Sequence, residues 1–222
     1  ISVQSWGTQT ITPIAQIIAR PNESQVNRWP NEDSQSFIFD TSNLFRTDKF
    51  AGWDRVEGGG RANYGLQYTA QINKAGFVSA MFGQSAQLFG ENSYALPGAS
   101  NTGLDSGLDK TMSDYVASFS YQPNSTLTFS SRYRLDQSTF DVKRLELETT
   151  AAFDRWNVSL MYGDYAAQPE IGFLDRRQGV YGTARVKLAS NWAVFGGARY
   201  DINAEKFTAT NIGLGYIDDC LI

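Results

Sequence analysis

Long runs of two-residue alternation constrain this chain more than any other feature. In the run 126–136, Leu127, Phe129, Ser131, Tyr133 and Leu135 hold one set of alternate positions, and Thr126, Thr128, Ser130, Arg132 and Arg134 hold the other. Successive side chains of an extended strand point to opposite faces, so this run has one greasy face and one wet face. The pattern recurs. Ala62, Tyr64, Leu66, Tyr68 and Ile72 oppose Asn63, Gly65, Gln67, Thr69 and Gln71, and Tyr115, Ala117, Phe119 and Tyr121 oppose Asp114, Ser118, Ser120 and Gln122. Leu145, Leu147, Ala151 and Phe153 oppose Arg144, Glu146 and Glu148. Val180, Ala184, Val186 and Leu188 oppose Tyr181, Thr183, Arg185 and Lys187, while Val194, Ala198 and Tyr200 oppose Phe195 and Arg199. Ile212, Leu214 and Tyr216 close the series against Asn211, Gly213 and Gly215. This makes about ten strands, many near the roughly 9 to 11 residues that cross a bilayer at a tilt.

A soluble sandwich or barrel also alternates. Two features favour the membrane: the strands exceed the five or six residues usual in soluble proteins, and Tyr121, Trp156, Trp192 and Tyr200 sit near strand ends, where an aromatic girdle belongs. Leu127, Phe129 and Tyr133 are expected to face lipid, with Leu127 near the midplane. The connections give an independent test, because bacterial barrels have short periplasmic turns and longer external loops. Long connections at 21–60, 91–113 and 168–178 alternate with short ones at 73–76, 123–125, 154–155, 189–191 and 218–219. The connections at 137–139 and 202–206 are ambiguous or intermediate. Asn73 and Gly76 are expected to supply positive φ in the first short turn. The external loops, rich in Asn, Asp, Ser, Gly and Pro, read as solvated.

The expected fold is therefore all-β, part of a large antiparallel transmembrane β-barrel in the outer membrane, with residues 1–222 forming one architectural unit. The chain reads as a fragment, with other parts of the barrel outside it. No run approaches the roughly 18 to 20 apolar residues of a membrane helix. A net charge of -4 argues against nucleic acid. Histidine is absent, which removes Ser-His and His-Asp hydrolases and histidine metal sites. Glu146 and Glu148 read as lumen ion-pair partners of neighbouring arginines, and the glycine runs at 58–60 and 213–215 lack the context of a phosphate-binding loop. Neither a catalytic role nor a cofactor or metal is expected.

The wet faces carry Arg132, Arg134, Arg144, Arg185, Lys187 and Arg199, which either guide an anionic substrate or are ordinary polar lining of a wide barrel. The alternation of connections puts Cys220, the single cysteine, at the periplasmic rim. In that oxidising compartment a disulfide to another part of the polypeptide is favoured over a free thiol.

One segment carries a more specific signal. Leu44-Phe45 is followed by Phe50, Gly52, Asp54 and Arg55 in the spacing Phe-x-Gly-x-Asp-Arg, and then by Tyr64-Gly65-Leu66. This closely resembles the signature of the LPS-assembly protein family (LptD, organic solvent tolerance protein), and the strand from Thr12-Pro13-Ile14 to Arg20-Pro21 fits it as well. The resemblance implies a barrel of about 26 strands, at the large end of the outer-membrane range, behind a periplasmic jellyroll domain. It implies transport of lipopolysaccharide to the outer leaflet, a plug lipoprotein LptE in the lumen, a periplasmic bridge protein LptA as donor, and outer-membrane lipids around the wall. It also implies a cysteine-bearing periplasmic domain as the partner of Cys220. A general porin or nutrient channel is the alternative, and a purely structural or adhesive barrel the third.

Overall fold

The computed structural model describes residues 1–22, 30–98 and 100–216. Eleven strands form one antiparallel sheet whose spatial order is their order in sequence. They are β1 (Ser2–Gln4), β2 (Gly7–Arg20), β3 (Gly59–Ile72), β4 (Gly76–Phe89), β5 (Tyr115–Gln122), β6 (Leu127–Leu135), β7 (Val142–Ala152), β8 (Trp156–Tyr165), β9 (Arg177–Lys187), β10 (Trp192–Asp201) and β11 (Lys206–Tyr216). Among the described residues the only helix is a single 3-10 turn, Pro169–Ile171. The sheet is open, with β1 and β11 as its edges.

Ten of these strands follow the sequence reading, and β1 is the addition. It pairs only with residues 7–9 of β2, so from Thr10 onward β2 is itself an edge. An edge tolerates Pro13, whose ring nitrogen can donate no ladder hydrogen bond.

Two neighbouring rows of the register show what the alternation achieves. One crosses the sheet as Ile11, Tyr68, Ala80, Phe119, Ser131, Leu147, Tyr162, Val180 and Tyr200. The row one residue along reads Thr12, Gln67, Met81, Ser118, Arg132, Glu146, Gly163, Gly179 and Asp201. The first row belongs to an apolar face whose side chains are widely exposed, among them Ile17, Leu66, Phe82, Leu147, Leu160 and Ile212. Such a continuous apolar surface needs a partner other than water.

The register also corrects one depth. Leu127 lies on the apolar face as expected, but it is the first residue of β6, beside the short turn. Ser131 holds the middle of that strand, and its neighbour Leu147 is the apolar side chain at mid-height.

No connection at one end of the sheet exceeds four residues, and both long loops lie at the other end with the connections 136–141, 166–176 and 202–205, the last as short as the turns opposite. At the turn end, Phe153 stacks on Trp156 at 4.0 Å and Trp192 packs on Tyr216 at 4.9 Å. At the loop end, Tyr115 stacks on Phe140 at 5.0 Å and Tyr200 meets Phe207 at 5.2 Å. In the 73–75 turn the left-handed residues are Lys74 (φ 63) and Gly76 (φ 95), not Asn73. Asn73 instead reaches the neighbouring hairpin, donating its N–H to Trp6 O at 2.9 Å and its side-chain amide to Ser5 O at 3.2 Å.

The long loops depart most from expectation. They fold over the polar face of β3–β5 and carry the main core: Phe39, Leu44, Phe50, Tyr94 and Leu108 are buried with Val116 of β5, and Phe37, Phe45 and Met81 pack against them. Glycines make the seat. A Cβ on Gly83 would stand 2.5 Å from Leu44 Cδ2, and one on Gly65 would meet the Phe45 ring and the β4 backbone. The loops expected to be solvated are thus built around buried aromatic side chains, which stabilise them by roughly 1.5–3 kcal/mol per large apolar side chain.

Candidate functional site

The signature residues of the 31–58 loop hold that loop together. Phe50 is buried and stacks on Tyr94 at 4.6 Å. Gly52 approaches Asp33 so closely that a Cβ would fall 2.1 Å from its carboxylate, and its N–H donates to Ser34 Oγ at 3.0 Å. Asp54 Oδ2 accepts from the backbone N–H of Glu32 at 2.8 Å and of Asp33 at 3.2 Å. Asp33 returns the contact, accepting from the N–H groups of Trp53 at 2.7 Å and Asp54 at 3.1 Å. Those donors hold the Asp33 carboxyl below its ordinary range. Arg55 is buried beside this clasp.

Beneath it lies a buried ionic network absent from the sequence reading. Glu57 Oε1 stands 2.6 Å from Arg61 Nε, Glu57 Oε2 stands 3.4 Å from Lys49 Nζ, and the Tyr94 hydroxyl donates to Oε2 at 3.1 Å. All four residues are nearly inaccessible to solvent. Burial lowers the Lys49 ammonium below its ordinary range against the pull of Glu57, and burial raises the Tyr94 phenol well above its own. One carboxylate therefore compensates two buried cations, and the network ties the loop to the start of β3.

The basic stripe divides in two. Arg132, Arg134 and Arg144 come together at the loop end of β6 and β7: Arg132 Nε lies 2.9 Å from Glu146 Oε2, Arg144 Nη2 lies 2.5 Å from Glu146 Oε1, and Arg134 Nε lies 3.3 Å from Asp114 Oδ2. Glu148 adds a 3.7 Å contact to Arg132, completing the ion pairing read from the alternation. Asp114, just before β5, has its carboxyl raised by burial, with Arg134 and Lys110 opposing. Arg185, Lys187 and Arg199 share the polar face but lie on β9 and β10, outside this network. Arg199 packs over the Tyr181 ring at 5.6 Å. Cys220 lies outside the described residues.

No group of three His, Cys, Asp or Glu able to hold a metal occurs among the described residues. The chemistry available is cationic and aromatic: it can bind anions and rings.

A family model described as LptD, LPS transport system D, matches residues 2–171. The chain belongs to the LptD family. The match runs from β1 through β8 and the 3-10 turn, and β9–β11 continue the same meander beyond it. A comparison with curated proteins finds no match. Within the Phe-x-Gly-x-Asp-Arg text of this LptD chain, Gly52 and Asp54 build the clasp and Phe50 enters the core, so their surroundings leave these three positions little freedom of residue type. Sequence reasoning missed Lys49, Glu57, Arg61 and Tyr94, and it missed Arg177, which completes the cationic end of the sheet. The available signal was the cluster of Phe37, Phe39, Leu44, Phe45 and Phe50 inside one connection, more apolar surface than a solvated loop carries.

Proposed function

We propose that this LptD chain forms part of the wall of an outer-membrane barrel that assembles lipopolysaccharide into the outer leaflet. The observation that carries the reading is the pair of neighbouring rows across the sheet, one nearly all apolar and the other polar and charged. A sheet of this kind meets hydrocarbon on one side and a wet lumen on the other. The turn end is periplasmic and the loop end external. Lipids cover the apolar face, and the basic residues Arg132, Arg134, Arg144, Arg185, Lys187 and Arg199 line the path of an anionic glycolipid. Family membership supports LptE as the lumen partner and LptA as the periplasmic donor. Cys220, four residues past the end of β11 in sequence, forms a disulfide with the periplasmic domain in this reading. Non-reducing electrophoresis of the full-length protein against Cys220→Ser should show a mobility difference that reduction abolishes, and identical migration would remove the bond.

A porin keeps its lumen open, whereas here two external loops lie packed on the polar face. The test is depletion of the full-length protein in its own cells, with surface lipopolysaccharide measured alongside the conductance of the purified protein in planar bilayers. Falling surface lipopolysaccharide with little steady conductance is expected. Unchanged surface lipopolysaccharide together with a steady open channel would replace this reading by the porin.

A further inference from the structure

We infer that the cavity between the 35–38 segment and the loop ends of β6–β9 is a binding site for an anionic saccharide, a sugar bearing a phosphate or carboxylate. The cavity measures about 290 Å³, at the lower end of small-molecule sites, which suits a sugar-sized group and not an acyl chain. Arg134, Lys143, Arg144 and Arg177 line it, and among the described residues no carboxylate does.

The nearby carboxylates are already shared. Asp136 serves Lys110 at 3.5 Å and Lys143 at 3.7 Å, and Glu146 serves Arg132 and Arg144. Asp114 serves Arg134 at 3.3 Å and Lys110 at 3.9 Å. Among the described residues Arg177 meets no carboxylate. Its Nη2 donates to the neutral Gln168 Oε1 at 2.9 Å, and its guanidinium rests 3.4 Å from the Phe173 ring centre and 5.7 Å from that of Tyr165. The Nε groups of Arg144 and Arg177 are buried with no hydrogen-bond acceptor among the described residues, while that of Arg134 has only the Asp114 carboxylate at 3.3 Å, out of line for a hydrogen bond. Arg134 is itself only 7% exposed. Buried donors are almost always satisfied, so the two orphan N–H groups of Arg144 and Arg177 beside one cavity point to an acceptor that the chain does not supply. A phosphate or carboxylate meets that need with charge-assisted, fork-shaped contacts.

The remaining lining suits a sugar ring. Tyr165 and Phe173 offer aromatic faces, and Ser36 and Thr102 offer hydroxyls. The site deepens the transport reading, since the molecule carried there is a lipid-linked saccharide, but it stands on its own chemistry.

The test uses the full-length protein in detergent, titrated calorimetrically with glucose 6-phosphate, glucose and inorganic phosphate. Glucose 6-phosphate should bind at least about tenfold more tightly than either part, and Arg177→Gln should weaken it about tenfold or more, the worth of one charge-assisted contact. Lys74→Gln, at the opposite end of the sheet, should change nothing. In the wild type, glucose 6-phosphate and not glucose should slow acylation of the partly exposed Lys143 amine, a readout that needs no variant. Phosphate binding as tightly as glucose 6-phosphate would overturn the saccharide half of the inference. Absence of binding, or equal binding by Arg177→Gln with no protection of Lys143, would overturn the site. Such failure with lipopolysaccharide delivery intact sinks the site alone, whereas binding in a protein that delivers no lipopolysaccharide sinks the transport reading alone.

Discussion

Glu57 faces Lys49 and Arg61 with both cations buried, so its charge matters more than its size. Removing one partner of a buried pair leaves an uncompensated charge, which costs about 3–5 kcal/mol. Glu57→Gln preserves shape and should lower the thermal midpoint of the full-length barrel accordingly, read from the temperature at which its folded electrophoretic mobility is lost. Lys49→Met removes a charge that burial already disfavours and should be nearly neutral. An equal loss for both would show that packing and not charge holds the network. On the opposite face, Leu147 is 41% exposed at mid-height of β7. Leu147→Arg should cost roughly 2–4 kcal/mol in a refolding titration, as charges do at the bilayer midplane. Arg132→Leu should cost less, because Glu146 keeps Arg144. Equal costs would show that the face assignment is wrong.

Among the elements, the long strands were legible in the sequence because a two-residue period needs only a few repeats to be recognised. β1 was not, since three residues cannot display a period. The loop core escaped for a different reason: Phe39, Leu44, Phe50, Tyr94 and Leu108 follow no period, and their burial depends on where two distant connections land on the sheet. Alternation put the basic residues together on the polar face of the sheet, but their grouping required the register. The β6–β7 turn shows what a short connection can encode. Asp136 Oδ1 accepts from the N–H groups of Ser138 at 2.9 Å and Thr139 at 3.2 Å, and these donors lower its carboxyl to about 2. A depressed carboxyl contributes stability that is fully present above the unfolded value, about 3.9. That contribution is lost as pH falls through the folded value. The Asp136 carboxyl carbon resonance should titrate near 2, and protection of the Ser138 amide relative to Asp136→Ala should shrink between about 4 and 2. A midpoint near the unperturbed value would mean that the turn does not hold the carboxylate.

For the whole molecule, sidedness follows from a regularity no single strand contains. The turns at 5–6, 73–75, 123–126, 153–155 and 188–191 share one end, and the loops at 21–58 and 90–114 share the other with the connections 136–141, 166–176 and 202–205. Bacterial barrels keep their short turns periplasmic, so the orientation in the membrane follows once the wall is accepted. Ser100 is a poor place to test this, because its hydroxyl receives the Asn31 side-chain amide at 3.3 Å and contacts Thr102 at 2.7 Å. A tag there would disturb the packed loops. Ser138 is exposed at the tip of a tight connection, and Lys74 is exposed at the tip of another at the opposite end. Exposed tips of this kind tolerate insertion without disturbing the core, which separates topology from misfolding. An epitope inserted at Ser138 should be reached by antibody on intact cells. The same epitope at Lys74 should become reachable only after the outer membrane is opened. Labelling at Lys74 in intact cells, with Ser138 silent, would turn the barrel over. The cationic cavity, which sits at the Ser138 end of the sheet, would then face the periplasm and meet its saccharide at the start of the path through the membrane instead of at its exit.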